Sequence, residues 1–192
     1  MKRVLMFLLV AMVLFLGYAA TRPDTFHVER SITIAAPADA IYPKVAEFHQ
    51  WPAWSPWEHL DPNMKTEFLG TDGAVGASYG WTGNDKVGQG RMTLTEIQPP
   101  QKVGIKLEFL KPYQATSAGT FAFTPEGAGT KVTWSMDGTN NYMAKVMCIF
   151  MNMDKTIGAD FEKGLATLKS QSESAAAAPA GGAAPADSAH VH

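Results

Sequence analysis

A succession of short β-type segments between residues 65 and 138 restricts the possible folds more than any other feature of the chain. Apolar and polar residues tend to alternate within each segment, and clusters of Gly, Pro, Asn and Asp separate one segment from the next. Connections this short join antiparallel neighbours, because parallel strands need a longer crossover. The predicted strands are Lys65–Leu69, Ala77–Thr82, Gly88–Ile97, Lys102–Leu110, Gln114–Thr124 and Thr130–Gly138.

A further strand and two helical regions flank these segments. Phe26–Ile34 alternates and predicts a strand with one buried face, and short helices are expected after Pro37. Tyr142–Ser172 lacks proline and repeats apolar residues at helical spacing, which predicts one long amphipathic helix. This helix is the only predicted element long enough to cover one face of the sheet. The predicted fold is therefore α+β, with about seven antiparallel strands curved around a long C-terminal helix and a space left between them.

The two ends of the chain lie outside the predicted domain, residues 24–172. Lys2 and Arg3 precede 17 uncharged residues, 4–20, which at about 1.5 Å per residue extend roughly 25 Å, near the lower limit for crossing a bilayer. We favour an anchor within residues 1–23 over a cleaved signal peptide, because the bulky Tyr18 disfavours cleavage after Ala20. Gly17 and Ala19 could still serve as the pair of small residues that precedes a cleavage site.

With either interpretation the basic pair stays in the cytoplasm and the domain is exported. The expected location is the inner (cytoplasmic) membrane, with a single pass and the domain on the extracytoplasmic side, or the periplasm after cleavage. Residues 173–192 are almost entirely Ala, Pro, Gly and Ser, and we predict that they are disordered.

Charge and cysteine content exclude several functional classes. The chain has 16 basic and 18 acidic side chains, and the basic residues of the domain are scattered singly, whereas a nucleic-acid binder needs a concentrated positive face. Cys148 is the only cysteine, so no internal disulfide or zinc cluster can be built. No Gly-rich phosphate loop precedes a helix. We expect no metal, no cofactor, no nucleic-acid partner and a monomeric protein.

Six stretches of the sequence carry a family resemblance. They are Val28–Pro37, Trp51–Glu58, Gly88–Thr93, Leu107–Pro112, Thr133–Met136 and Met151–Lys155. Together they resemble bacterial polyketide cyclase/dehydrase-like members of the START-like (SRPBCC) superfamily, over about residues 26–169. The resemblance implies a helix-grip fold with a deep apolar cavity for a lipid, polyketide, quinone or similar ligand. It brings no common catalytic motif onto this chain.

Aromatic and methionine side chains are the candidate ligand contacts. Three tryptophans within residues 51–57 exceed what a helix-to-strand connection needs, so we assign them to the cavity mouth and expect at least one to anchor the core. Apolar residues surround the long helix between Met143 and Met153, so its first half must face the sheet on one side and the tryptophans, a ligand or the membrane on the other. The predicted ligand-binding residues are Trp51, Trp54, Trp57, Tyr79, Trp81, Arg91, Phe109, Phe121, Trp134, Met136, Met143, Met147 and Met151.

Titratable residues near the tryptophans leave a second function open. Glu58, His59 and Glu108 are weak catalytic candidates, because no nucleophile or paired base accompanies them in the sequence. The first hypothesis is an exported, membrane-tethered domain that binds an apolar small molecule or lipid. The alternative is a cyclase, dehydratase or hydrolase acting on a similar ligand, for which at least two of these side chains or Arg91 must converge on the cavity. A third possibility is an envelope protein that only docks partners.

Overall fold

A computed structural model describes residues 1–177 of the chain. The helices are α1 Lys2–Ala20, α2 Ala38–Ala46, a short 3-10 helix Phe48–Ala53, α3 Tyr142–Phe150 and α4 Met153–Ala177. The strands are β1 Thr25–Ile34, β2 Lys65–Leu69, β3 Ser78–Thr82, β4 Gln89–Gln98, β5 Lys102–Lys111, β6 Ala115–Glu126 and β7 Gly129–Thr139. All seven predicted strands are present, with ends within two residues of those expected.

The strands form one antiparallel sheet in the order β1-β7-β6-β5-β4-β3-β2. Strands β2 to β7 are therefore consecutive hairpins, and β1 pairs with β7, placing Val28 opposite Met136. The ladder between β4 and β5 shifts register at Gln89/Gly90 and at Leu94/Glu96. Such bulges bend a strand and increase its twist. The predicted helix-grip fold, a curved antiparallel sheet against a long C-terminal helix, is confirmed.

Helix α4 covers the concave face of the sheet. Phe161, Leu165 and Leu168 recur at helical spacing along it and are at most 1% exposed. Phe161 also stacks on Trp134 of β7, with the ring centroids 4.0 Å apart. Burying a side chain of this size stabilises a fold by about 1.5–3 kcal/mol relative to leaving it in water. This apolar stripe therefore determines which face of α4 meets the sheet.

Arg30 of β1 fixes the first turns of α4. Its guanidinium donates hydrogen bonds to Asp154 at 3.0 Å and to Glu162 at 2.8 Å. Gly158 lies between these two acids, and a Cβ at this position would overlap the guanidinium. The missing side chain at position 158 therefore lets one arginine hold both carboxylates and keeps the start of α4 against β1.

The prediction of one continuous helix over Tyr142–Ser172 is wrong, because the chain leaves the helical conformation between α3 and α4. The side chains of Asn141 and Asn152 each accept a hydrogen bond of 2.9 Å from a backbone N–H three residues further on. Each asparagine therefore caps the start of its own helix. The apolar spacing continues across the joint, which is why the sequence pattern indicated a single element.

The two ends of the chain differ in how far they are described. Helix α1 is long and apolar enough to cross a membrane, and almost all of its side chains are exposed. A signal sequence near an N-terminus satisfies the same test. Helix α4 ends at Ala177, so it includes residues 173–177 of the predicted tail. The rest of that tail, residues 178–192, lies outside the described residues.

Candidate functional site

A cavity of about 240 Å³ lies between α4, the concave face of the sheet and residues 51–64. Most of its wall is apolar, and the exposed Lys86 lies where it opens to solvent. The lining residues are Trp51, Ser55, Trp57, Glu58, Met64, Tyr79, Trp81, Lys86, Val87, Met92, Leu107, Phe109, Met136, Ile157, Asp160 and Phe161.

The sheet wall is built from side chains that alternate towards α4. Met92 of β4 lies opposite Tyr79 of β3 on one side and Leu107 of β5 on the other. Phe109, two residues beyond Leu107, points to the same face, as the period of a strand requires. Neighbouring strands thus present a contiguous apolar surface to the cavity.

Gly90 leaves the space that the indole of Trp81 occupies. It is paired with Trp81 of β3 and with Phe109 of β5. A Cβ at position 90 would overlap the ring of Trp81. The indole Nε1 of Trp81 in turn donates to the carbonyl oxygen of Val87 at 3.0 Å. Trp81 therefore lies over the backbone of β4 and forms a fixed part of the cavity wall.

Tyr79 and Glu58 place one polar pair in this wall. The hydroxyl of Tyr79 donates to Oε1 of Glu58 at 2.5 Å, and Tyr79 is only 3% exposed. Burial raises the pKa of Tyr79 far above its ordinary value, and the Glu58 carboxylate raises it further. The phenol therefore remains protonated at neutral pH. Within residues 1–177 no hydrogen bond to Oε2 of Glu58 is formed, so this oxygen retains its capacity to accept one.

The three tryptophans of residues 51–57 do not share one role. Trp51 and Trp54 are each 2% exposed, and their indole N–H groups donate to the carbonyl oxygens of Val45 at 2.9 Å and Lys44 at 2.8 Å. Both anchor this segment to α2, and only Trp51 also reaches the cavity. Trp57 is partly buried, packs edge-on against Trp134 at 5.7 Å, and lines the cavity.

Three further predicted contacts lie away from the cavity wall. Phe121 and Trp134 are core residues whose rings stack 4.7 Å apart, behind the side chains that line the cavity. Arg91 is exposed and lies on the opposite face of β4 from Met92, because successive side chains of a strand alternate. The placement of Arg91 leaves it no route to orient a ligand in this cavity.

Met143, Met147 and Met151 also lie away from the cavity. The first two belong to α3 and the third to the joint after it, and α3 has no buried residue. The expectation that the apolar first half of the long helix faces the sheet on one side is therefore wrong, because α3 contacts α1 instead. The cavity is instead enclosed by strands β3, β4, β5 and β7 on one side and by the second and third turns of α4 on the other.

The catalytic candidates do not converge. Glu58 lines the cavity, whereas His59 is exposed. Glu108 lies on the outer face of β5, where it accepts a hydrogen bond of 2.6 Å from Lys106. Of the residues considered from the sequence, only Glu58 is therefore placed for acid or base chemistry in the cavity, and its partner there is Tyr79. Within residues 1–177 no group of three or more His, Cys, Asp or Glu side chains is arranged to hold a metal ion.

Several lining residues were missed by the sequence reasoning. Met92 and Leu107 could have been found, because each alternates with an apolar residue on the inward face of its strand. Ile157, Asp160 and Phe161 follow helical spacing and face the cavity together. No sequence pattern marks the loop contributions, which are Ser55, Met64, Lys86 and Val87.

Comparison with known proteins places this cavity in a family context. A family model described as polyketide cyclase / dehydrase and lipid transport matches residues 25–173. No curated protein sequence matches the chain. The chain is also similar to solved structures, and the three described next are 14–17% identical to it.

Three of these structures illustrate the likeness. The di-domain ARO/CYC StfQ from the steffimycin biosynthetic pathway is 15% identical with a TM-score of 0.60, over 79% of this chain and 52% of that one. A protein from Chromobacterium violaceum is 14% identical with a TM-score of 0.55, over 79% and 98%. A protein from Mycobacterium smegmatis is 17% identical with a TM-score of 0.54, over 78% and 92%. At such identities the likeness establishes the fold alone.

Proposed function

We propose, since the chain belongs to the polyketide cyclase, dehydrase and lipid transport family, that its domain binds an apolar small molecule or lipid while α1 tethers it to a membrane. The observation that carries the proposal is the cavity itself, an apolar space whose wall includes the polar Tyr79–Glu58 pair. Ligand sites generally combine an apolar wall with a few placed polar groups that fix orientation.

The volume of the cavity restricts the ligand. Drug-sized ligands occupy pockets of roughly 300–1,000 Å³, and this cavity of about 240 Å³ falls just below that range. A ring system or one segment of an acyl chain fills it. The remainder of a larger ligand extends past Lys86 into solvent.

Glu58 and Tyr79 orient the ligand in this proposal. The free oxygen of the Glu58 carboxylate accepts a hydrogen bond from a ligand hydroxyl or phenol, and Tyr79 holds the carboxylate in place. A fully saturated hydrocarbon has no group for this pair and binds by burial alone. We therefore favour a polyketide-, quinol- or lipid-like ligand with at least one hydroxyl.

Helix α1 supports the tether. It is long and apolar enough to span a bilayer, and Lys2 and Arg3 precede its uncharged run. Basic residues before a span favour the cytoplasmic side. The domain then lies on the extracytoplasmic face of the inner membrane.

Photocrosslinking of the full chain in vesicles tests the binding proposal. A hydroxylated fatty acid that carries a diazirine is added, the sample is illuminated, and crosslinked peptides are mapped by mass spectrometry. We expect adducts on residues 79–92, 107–109 and 157–161, and also on α1, which contacts the same probe dissolved in the bilayer.

Two variants make the result specific. Leu107→Trp fills the cavity and is expected to remove the cavity adducts while leaving those on α1. Lys106→Trp, one residue away on the outer face of the same strand, is expected to change neither set. Cavity adducts that persist at full yield in Leu107→Trp, or that never form in the wild type, contradict the proposal.

An enzyme acting on a similar ligand is a second candidate, and one observation favours it. Glu58 is a carboxylate on the cavity wall with a protonated phenol 2.5 Å away, an arrangement that can accept a proton from a bound ligand and hold the base in position. A cyclase, dehydratase or hydrolase of this kind loses turnover in Glu58→Gln but retains the crosslinks. A binding protein retains the crosslinks and shows no turnover of the probe with either sequence.

A further inference from the structure

Helix α3 presents an apolar stripe that the domain does not cover. Met143, Met147 and Phe150 lie one or two turns apart on one side of it and are 59%, 40% and 75% exposed. None of the residues of α3 is buried, and none of them lines the cavity. Contiguous exposed apolar surface of this kind marks a contact with a membrane or another molecule.

The same helix packs against the end of α1. The hydroxyl of Tyr142 donates to the carbonyl oxygen of Leu16 at 2.9 Å, and the rings of Phe150 and Phe15 lie 5.9 Å apart. The exposed stripe of α3 is therefore continuous with the exposed apolar surface of α1. The medium that contacts the last turns of α1 therefore also contacts the exposed stripe of α3.

Charged groups mark the level at which α1 ends. Lys145 of α3 forms an ion pair with Asp24, and its ammonium lies 3.4 Å from the carbonyl oxygen of Ala20. The guanidinium of Arg22 lies over the ring of Tyr18, 5.9 Å from its centroid. Aromatic rings and basic side chains of this kind are typical of the boundary between lipid and water. Helix α3 thus lies at the depth where α1 leaves the bilayer.

The length of α1 gives a reason for a second apolar element at this level. Its uncharged run extends roughly 25 Å, whereas the hydrocarbon core of a bilayer is about 30 Å thick. The stripe of α3 adds apolar surface beside the short end of the span.

We propose that α3 is an interfacial helix that inserts Met143, Met147 and Phe150 into the lipid leaflet from which α1 emerges, and so holds the domain in a fixed orientation on the membrane. This inference rests on the proposed role of α1 as a membrane span. A lipid surface is the occupant we favour over a second copy of the chain, because the stripe continues the apolar surface of α1 that lipid covers in the proposed tether.

Spin labelling of the full chain in phosphatidylcholine–phosphatidylglycerol vesicles tests the inference. A nitroxide is attached to Met147→Cys in a Cys148→Ser background, and its accessibility to oxygen, which concentrates in lipid, is compared with that to a water-soluble nickel chelate. Val10→Cys in α1 and Ala128→Cys in the exposed β6–β7 turn, each in the same background, are the lipid and water references. We expect the oxygen-to-nickel ratio at position 147 to exceed that at 128 by about tenfold and to approach that at 10.

The outcomes separate this inference from the proposed tether. A label at 147 that behaves like the one at 128, while the label at 10 is in lipid, overturns the inference and leaves the tether standing. Labels at 10 and 147 that are both in water overturn the two together. A label at 147 that neither reagent reaches, with spin–spin broadening between chains, overturns the inference in favour of a dimer. Met143→Cys, one turn away, repeats the measurement if the 147 variant does not fold.

Discussion

Replacing Tyr79 by phenylalanine is expected to destabilise the domain, because the Glu58 carboxylate loses its hydrogen-bond donor. The hydroxyl that is lost donates to Glu58 at 2.5 Å, in a side chain only 3% exposed. Losing a hydrogen bond to a charged partner costs about 1.5–3 kcal/mol. Because Glu58 is only half-buried, water compensates in part, and we expect the lower part of this range, about 1.5–2 kcal/mol in the free energy of unfolding. Urea denaturation of the full chain in detergent, followed by tryptophan fluorescence, measures it, since all five tryptophans lie in the domain.

Two variants calibrate this result. Tyr42 is also buried, but its hydroxyl reaches only a carbonyl oxygen at 3.4 Å, so Tyr42→Phe is expected to cost less than about 1 kcal/mol. Glu58→Gln keeps an acceptor for the Tyr79 hydroxyl and is also expected to cost no more than about 1 kcal/mol. If Tyr79→Phe costs no more than Tyr42→Phe, the pair does not stabilise the cavity wall and the reasoning is refuted.

Three further outcomes are expected. Gly158→Ala forces the Arg30 guanidinium away from its two carboxylates. We expect the Tm of the domain to fall by at least about 3 °C in a thermal scan. An unchanged Tm would show that α4 does not depend on this close approach. Gly90→Ala displaces the indole of Trp81 and should reduce crosslinking on residues 79–92, and a wild-type adduct yield would argue against a fixed wall. Burial raises the pKa of Tyr79 in the folded chain. Above about pH 10 the unfolded chain therefore loses a proton that the folded chain keeps. The free energy of unfolding should then fall by up to about 1.4 kcal/mol per pH unit because of this group. Below that pH its contribution is fully present, and Tyr79→Phe should flatten the decline in a pH series of urea denaturations.

The strands were predictable because their physical determinants are local. Alternation along β7 places Trp134 and Met136 on one face, and Gly, Pro and Asn clusters end each strand where the chain has to turn. The antiparallel order then follows from connections too short for anything else. The pairing of β1 with β7 was not predicted, because these strands lie at opposite ends of the domain sequence and no local pattern specifies their contact.

Helix α3 was misplaced because its partner is remote in sequence. Its apolar circumference predicted cover on several sides, but such a pattern cannot specify whether a sheet, a ligand, the membrane or another helix provides that cover. The contact with α1 joins residues more than a hundred positions apart. The polar Asn152, between two methionines, was the only local sign that the helix ends there, and it is a cap that periodicity does not detect.

Arg91 and the tryptophans show where the direction of a single side chain can be predicted from sequence and where it cannot. In a strand the direction of Arg91 follows from that of Met92, so its outward position could have been deduced. In the irregular segment around Trp54 no period exists, and only tertiary packing decides which indole anchors α2 and which faces the cavity.

The two-residue joint between α3 and α4 has a mechanical consequence. Ile157 and Asp160, in the first turns after the joint, form part of the ceiling of the cavity. A tilt of α3 therefore reaches this part of the cavity through only two residues, and it acts against the ion pairs of Arg30 that hold the start of α4 on β1. Strands β3 to β5 carry the opposite wall. In the proposed membrane-bound orientation, bending of the bilayer therefore acts on the α4 side of the cavity before it acts on the sheet side.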